Sequence, residues 1–305
     1  MKKYDVAIIG AGAAGLSAGL YSARSGMKTV IFDKSAGGQT LEIDQLENYP
    51  GIFPAVNGSA YINTLLEQTK FFGAEIILKN ATYIDKKNSF FIIQTPDETY
   101  ESTALIYATG AEHTHLDIPG EKDLYGKGVS YCAVCDGPFF KGKNVTVIGG
   151  GDSACSEAIY LSGFVNHVDL IHRRNDFRAA KVLSERVLKN DKITVHFESV
   201  VKEIRGKNSV DSVLIENTST GETKTLETSA VFIFAGMKPR TDLLENLKKD
   251  KNGYFITGEN METMIPGLYI AGDVRAKPLR QIVTAASDGA IAAFSAQEFV
   301  KDRDN

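Results

Sequence analysis

The chain has 305 residues, 43% hydrophobic and 24% charged, and a formal net charge of −4. That length is long for one core and suits two domains of an ordinary globular protein, while the mild acidity argues against nucleic acid or an anionic membrane as partner. With three cysteines one thiol must stay unpaired, which excludes a disulfide-stapled secreted scaffold and points to a reducing cytoplasm, where a surviving disulfide is usually catalytic.

Lys2 and Lys3 ahead of an apolar stretch imitate a secretory signal. Asp5 interrupts the stretch, Gly10, Gly12 and Gly15 punctuate it, and no run approaches the ~20 apolar residues of a membrane helix. Residues 6–9 read instead as a buried strand, 10–15 as a turn, 16–25 as a helix, and 29–33 as a second strand ending in Asp33. Strand, glycine turn, helix and terminal acid together form a dinucleotide fingerprint. Gly10, Gly12, Ala13, Ala14 and Gly15 let the backbone approach a pyrophosphate at the helix N-terminus, and Asp33, followed by Lys34, is placed to accept from a ribose.

Alternating strands over 81–102 lead into a buried strand at 105–110 that ends in Ala108, Thr109 and Gly110. Next comes Tyr131-Cys132-Ala133-Val134-Cys135-Asp136, two thiols at a spacing that can close into a readily reduced disulfide. Asp136, one residue from the second sulfur, is a candidate general acid–base, against the alternatives of an exposed carboxylate or a helix N-cap. Zinc is disfavoured: the remaining cysteine, Cys155, lies in a predicted helix and the five histidines show no ligand spacing beyond the His113/His115 pair.

A second fingerprint follows, with a strand at 145–148, a turn carrying Gly149, Gly151, Asp152, Ser153 and Ala154, a helix at 155–162 and a strand at 168–171. This copy ends in His172-Arg173-Arg174, with Arg178 close behind, where guanidinium groups favour a 2′-phosphate and hence NADPH. A second meander over 200–229 leads to a buried strand ending at Gly236. The predicted fold is therefore α/β, two Rossmann-like dinucleotide-binding domains, each with a β-meander, the second inserted in the first. Connectors at 111–121 and 237–243 give domains of 1–112 and 243–305 (FAD) around 113–242 (NADPH and dithiol). In the last segment a strand at 267–273 delivers Gly272 and Asp273 to a ribityl chain, and Arg280, Gln281 and Ile282 open an apolar helix reaching Phe299.

On these motifs the chain resembles the low-molecular-weight thioredoxin reductases over nearly its whole length. Gly10 to Gly15 is similar to that family's FAD phosphate loop; Gly37, Gly38 and Gln39, with Glu47-Asn48-Tyr49-Pro50-Gly51, resemble its flavin-side segments. The second turn with His172 to Arg178 resembles its NADPH site, and Gly272-Asp273 with Arg280-Gln281 its FAD closure. The resemblance implies a homodimer passing electrons from NADPH through FAD to a Cys132–Cys135 disulfide and on to thioredoxin, with Cys135 against the flavin, Cys132 attacking the protein substrate and Asp136 managing the protons. Dithiol and NADPH must share one flavin, which implies that the inserted domain swings between two poses. Lys238-Pro239-Arg240 departs from the family pattern in its charge. Two other readings stay open: the same chemistry serving a glutaredoxin-like or peroxide-reducing partner, and a flavin redox sensor without turnover.

Overall fold

Strand Lys2–Ile9 is the centre from which the first half of the structure is built, and its alternating side chains divide two cores. Val6 and Ile8 face helices Ala13–Arg24 and Ile282–Asp304 together with Leu16, Ile106 and Ala292. Ala7 and Ile9 face Phe32, Phe91, Tyr107 and Phe255. A strand covered on both faces must be apolar throughout, which is why these stretches read as continuous hydrophobic runs.

The computed structural model describes residues 1–43, 46 and 48–304. Glu47, part of one flavin-side segment named above, lies outside the described residues. The chain divides into two compact units, Met1–Glu112 with Lys238–Asn305, and His113–Met237.

In the first unit, Glu75–Ile77, Thr29–Phe32, Lys2–Ile9 and Thr99–Tyr107 lie side by side in parallel, and Leu268–Ile270 adds to the far side of Thr99–Tyr107. Thr99–Tyr107 belongs to two patterns at once. Its first half closes an antiparallel meander with Tyr83–Lys87 and Phe90–Gln94, and its second half is buried within the parallel set. The last strand of the meander and the buried strand expected at 105–110 are thus one continuous nine-residue element, which ends at Tyr107.

The inserted unit repeats the plan with Ile193–His196, Val168 and its neighbours in His167–Ile171, Asn144–Ile148, Ala230–Ile233 and Val129–Ser130, all parallel. Its meander is Ser199–Arg205, Ser212–Asn217 and Thr223–Glu227. The fifth strand differs in origin: Leu268–Ile270 closes its sheet from the end of the chain, whereas Val129–Ser130 precedes the unit's own fingerprint. Each delivers a turn with candidate site residues to the carboxyl edge of a parallel sheet, where such folds hold ligands. The turns are Gly272–Val274 and Ala133–Asp136.

The connectors pair as a two-stranded sheet, Ala111–His113 with Met237–Pro239. The second boundary falls at Met237/Lys238, ahead of residue 242. Arg240 is the cause: its carbonyl accepts from Tyr107 Oη (3.0 Å) and Thr109 Oγ1 (2.6 Å), and its amide donates to Gly110 O (3.0 Å).

Candidate active site

The first glycine turn is shaped by close backbone contacts. Gly10 (φ +107°) passes under Ala108, whose carbonyl oxygen would lie 2.4 Å from any Cβ, and a Cβ on Gly15 would meet Gly10 O at 1.8 Å. Gly12 is open: among the described residues nothing lies nearer to its Cβ direction than Gly37 O at 3.9 Å. It N-caps helix Ala13–Arg24 with no side-chain cap and no acid in the first turn, so the helix presents free amides and a positive end to an anion. Asp33 Oδ2 accepts from Ala11 N at 2.7 Å, leaving its other oxygen for a hydroxyl donor.

Gly37, Gly38 and Gly272 reach this turn, and the other first-unit candidates are held by contacts elsewhere in the unit. Gly37 N donates to Ala11 O (2.7 Å), and Gly38 lies against Gly12. Gln39 Nε2 reaches Ala111 O at 2.7 Å, and Asn48 Nδ2 donates to Gln281 Oε1 at 3.1 Å, joining segments 233 residues apart. Gly272 (φ +79°) sits over Ala14, and its amide donates to Asp288 Oδ2 at 3.1 Å. Lys277 bridges Asp273 (3.0 Å) and Asp288 (3.1 Å), while Arg280 lies on the Tyr254 ring at 3.9 Å. Ile282 begins the last helix and Lys34 is exposed.

In the inserted unit, Gly149 (φ +150°) passes 2.7 Å (as Cβ) from Phe234 O, and among the described residues nothing lies within 4 Å of the Gly151 Cβ direction. Asp152 opens the helix, but its carboxylate is turned onto Ala180 N at 2.7 Å; Ser153 is exposed and Ala154 buried. His172 is only 5% exposed. It packs beneath Gly150, stacks on Phe177 and bonds Asp176 O through Nε2 at 3.0 Å. Burial, reinforced by the nearby Arg178, Arg174 and Arg173, holds its pKa below the usual histidine range, so the ring is a neutral floor for the loop. Arg173, Arg174 and Arg178 are exposed, and the Arg178 amide is tied to Gly150 O at 2.8 Å, which fixes the basic segment beside the glycine turn. Gly236 (φ +124°) accepts from Thr114 N at 2.9 Å.

The dithiol follows strand Val129–Ser130 directly. Cys132 and Cys135 form a disulfide with Cα atoms 5.3 Å apart across the turn Ala133–Asp136, anchored by the buried Ala133. Cys135 N donates to Cys132 Sγ at 3.2 Å and Asp136 N to Cys132 O at 3.1 Å. Asp136 makes no side-chain cap to the turn that follows; its Oδ2 instead accepts from Ser130 Oγ at 2.5 Å. Tyr131 is clamped by its hydroxyl on buried Glu121 (2.6 Å) and by the His113 ring stacked at 4.7 Å. Burial pushes the Glu121 pKa up, but the Tyr131 hydroxyl and the amides of Leu116, Ile118 and Asp117 outweigh it and leave the carboxyl below its ordinary value.

Two nucleotide-shaped turns and a closed Cys-x-x-Cys therefore stand on one duplicated frame, and comparison with known proteins agrees. The model of the pyridine nucleotide-disulphide oxidoreductases matches residues 4–289. The chain is 48% identical to the thioredoxin reductase of Treponema pallidum over 303 residues, 99% of each protein, and 42% identical to that of Bacillus subtilis over 304 residues, 99% and 96%. The crystal structure of the Streptococcus pyogenes thioredoxin reductase superposes with a TM-score of 0.91 at 42% identity, covering 98% of this chain and 99% of that one. The chain belongs to the pyridine nucleotide-disulphide oxidoreductase family. Its place there is with the low-molecular-weight, bacterial-type thioredoxin reductases, and it is an enzyme of that type.

A pyridine nucleotide-disulphide oxidoreductase uses a flavin and a pyridine nucleotide, and this chain fits both. Gly12 and Gly151 leave their turns open to a phosphate. Among the described residues, Arg280 Nε is buried without a hydrogen-bond partner, a polar atom of the kind a hydroxyl-rich ligand satisfies. Ser130, Glu121 and Asp288 escape the sequence reading. The one signal bears on Asp288 alone: its neighbour Gly289 is a glycine inside a helix that marks close backbone approach, and its Cβ would fall 2.1 Å from Ala14 O.

Proposed function

We propose that the chain is an NADPH-dependent thioredoxin reductase in which FAD occupies the first unit, NADPH the inserted unit, and Cys132–Cys135 carries the electrons to thioredoxin. The observation that carries this reading is the closed Cys132–Cys135 disulfide at the carboxyl edge of a nucleotide-binding sheet, with the Asp136 carboxyl one residue on. Bound nicotinamide and flavin supply the two-electron chemistry that no side chain offers, from hydride donor to disulfide. The chain's own residues do the rest. Gly12 and the amides of helix Ala13–Arg24 hold one pyrophosphate, Gly151 and helix Asp152–Ser162 the other. Asp33 and Asp273 orient hydroxyls of the flavin nucleotide, and Arg173, Arg174 and Arg178 take the 2′-phosphate. Cys132 attacks the partner's disulfide as a thiolate, Cys135 resolves the mixed disulfide, and Asp136 takes and returns the proton.

Redox pair and NADPH turn both belong to His113–Met237, the FAD turns to the other unit. We infer that they take turns at one flavin by rotation of the inserted unit about 111–121 and 237–243. The same reading makes the enzyme a cytoplasmic homodimer, in keeping with a buried third cysteine left as a thiol.

The test is an anaerobic titration followed by a coupled assay. NADPH is expected to bleach the yellow protein, and catalytic amounts are expected to consume NADPH steadily with thioredoxin and insulin present. A colourless protein that cannot be reconstituted, or bleaching without turnover on any redoxin, rejects the proposal.

The basic segment makes a separate prediction. Arg173→Ala/Arg174→Ala is expected to raise the KM for NADPH by about 10-fold or more, the scale of lost hydrogen bonds to a charged group, with kcat/KM for NADH nearly unchanged. Parallel initial-rate measurements with the two nucleotides check it.

A further inference from the structure

Ser130 is 4% exposed and lies two residues before the first redox sulfur, at the end of strand Val129–Ser130. Its hydroxyl stands among three polar atoms. It accepts from Cys132 N at 3.0 Å, lies 2.5 Å from Asp136 Oδ2, and has Cys132 O within reach at 3.3 Å. A serine hydroxyl has one proton to give and two lone pairs to receive with, and its proton rotates freely between acceptors.

We propose that Ser130 is a positioning residue for proton transfer, a hydroxyl rotor that keeps Asp136 in one place through both of its protonation states. The proposal rests on the reading of Asp136 as the dithiol's acid–base. With Asp136 ionised, Ser130 donates to Oδ2 and receives the Cys132 amide. With Asp136 protonated, the carboxyl donates to Ser130 Oγ, which still receives the Cys132 amide, and the serine proton turns to Cys132 O. Every donor finds an acceptor in either state. The carboxyl gives its proton to the Cys132 thiolate released as the Cys132–Cys135 disulfide is reduced, and takes it back from the Cys132 thiol before that sulfur attacks the substrate, without changing rotamer. Because Cys132 N and O are two of the rotor's partners, the same contacts hold the backbone of the attacking cysteine.

Ser130 also stabilises the charged carboxylate by donating to it, and losing the hydroxyl removes that preference. The measurement is the rate of exchange between pre-reduced enzyme and a disulfide substrate, followed across pH by stopped flow in the holoenzyme. Ser130→Ala is expected to slow exchange about 10-fold and to move its acidic limb to higher pH, while bleaching of the flavin by NADPH keeps its rate. Asp136→Asn is expected to remove the limb. Ser130→Thr and Ser130→Val have nearly equal volume and both suit a strand, so they isolate the hydroxyl should the alanine variant fold poorly. The threonine variant should keep the wild-type limb and the valine variant should shift it. A limb unmoved by Ser130→Ala or Ser130→Val but removed by Asp136→Asn overturns the rotor and leaves Asp136 in its role. A limb that survives Asp136→Asn overturns both. Equal shifts in the threonine and valine variants overturn the rotor as well, since the hydroxyl then has no part in it.

Discussion

Cys132→Ser is expected to lower thioredoxin-dependent NADPH oxidation to the assay background, a loss of roughly 10⁴-fold or more on the scale of deleting a covalent nucleophile. Serine is nearly isosteric with cysteine, and the turn Ala133–Asp136 is held by the buried Ala133 and by the Asp136 N–Cys132 O bond rather than by the disulfide alone. The fold and the nucleotide turns should therefore survive, and NADPH should still bleach the flavin. No other thiol can stand in. Cys155 is fully buried among Val147, Ala158 and Leu170, and burial, with Asp152 nearby, pushes its pKa up to about 11, which leaves almost no thiolate at neutral pH. The partner variant separates the roles of the two sulfurs. If Cys132 attacks, Cys135→Ser should trap a covalent complex with thioredoxin that dissolves in dithiothreitol, and Cys132→Ser should trap none. A trapped complex from the Cys132→Ser protein would reverse the assignment.

The doubly repeated frame is legible in the sequence because its strands are buried on both faces and its turns are glycine-marked; both signals are local. Val6–Ile9 and Val145–Ile148 each announce a strand, a turn and a helix within twenty residues. Element ends are less legible. Helix Ala13–Arg24 starts three residues before the apolar pattern at 16. Ala14 carries no periodic signal: Gly272, which arrives from more than 250 residues away, faces its Cβ, and Gly289 presses on its carbonyl. Thr99–Tyr107 reads as two elements because its partners change halfway, from an antiparallel meander strand to buried parallel neighbours.

The candidate site divides in the same way. Cys132, Cys135 and the glycines are named by spacing alone. The roles of their neighbours depend on tertiary contacts that spacing does not encode. His172 stands beside two arginines in sequence, yet its ring is packed under Gly150 while they face solvent. Glu121 and Tyr131 are ten residues apart with no periodic relation and meet at 2.6 Å. Asp288, in mid-helix, looks like a solvated charge, but it receives Gly272 N, Arg275 and Lys277 in a buried cluster. Such groups become visible only once the fold has closed around them.

Gly15→Ala is expected to yield protein without bound flavin, if it yields folded protein at all. The added methyl carbon would lie 1.8 Å from Gly10 O and 2.8 Å from Gly10 C, both backbone atoms, so no rotamer change relieves the clash. The turn itself must open. Gly10 cannot retreat, because it already passes under the Ala108 carbonyl and its amide is bonded to Phe32 O at 2.8 Å. Nor can the helix slide away, since Gly289 of the last helix presses on the Ala14 carbonyl from the other side. Overpacking in a core costs about 1–3 kcal/mol when side chains can adjust, and here only main chain is available to move. Gly26→Ala serves as the control: Gly26 has a left-handed φ of +86° but nothing within 4 Å of its Cβ direction, so its cost is conformational, about 1 kcal/mol. Visible absorbance of the purified proteins, with the thermal midpoint measured with and without added FAD, decides the matter. The Gly26→Ala protein should be yellow and slightly less stable. The Gly15→Ala protein should be colourless and show no midpoint shift with FAD. A yellow Gly15→Ala protein would mean that the turn does not pack as described, and that the flavin is held by contacts other than this glycine loop.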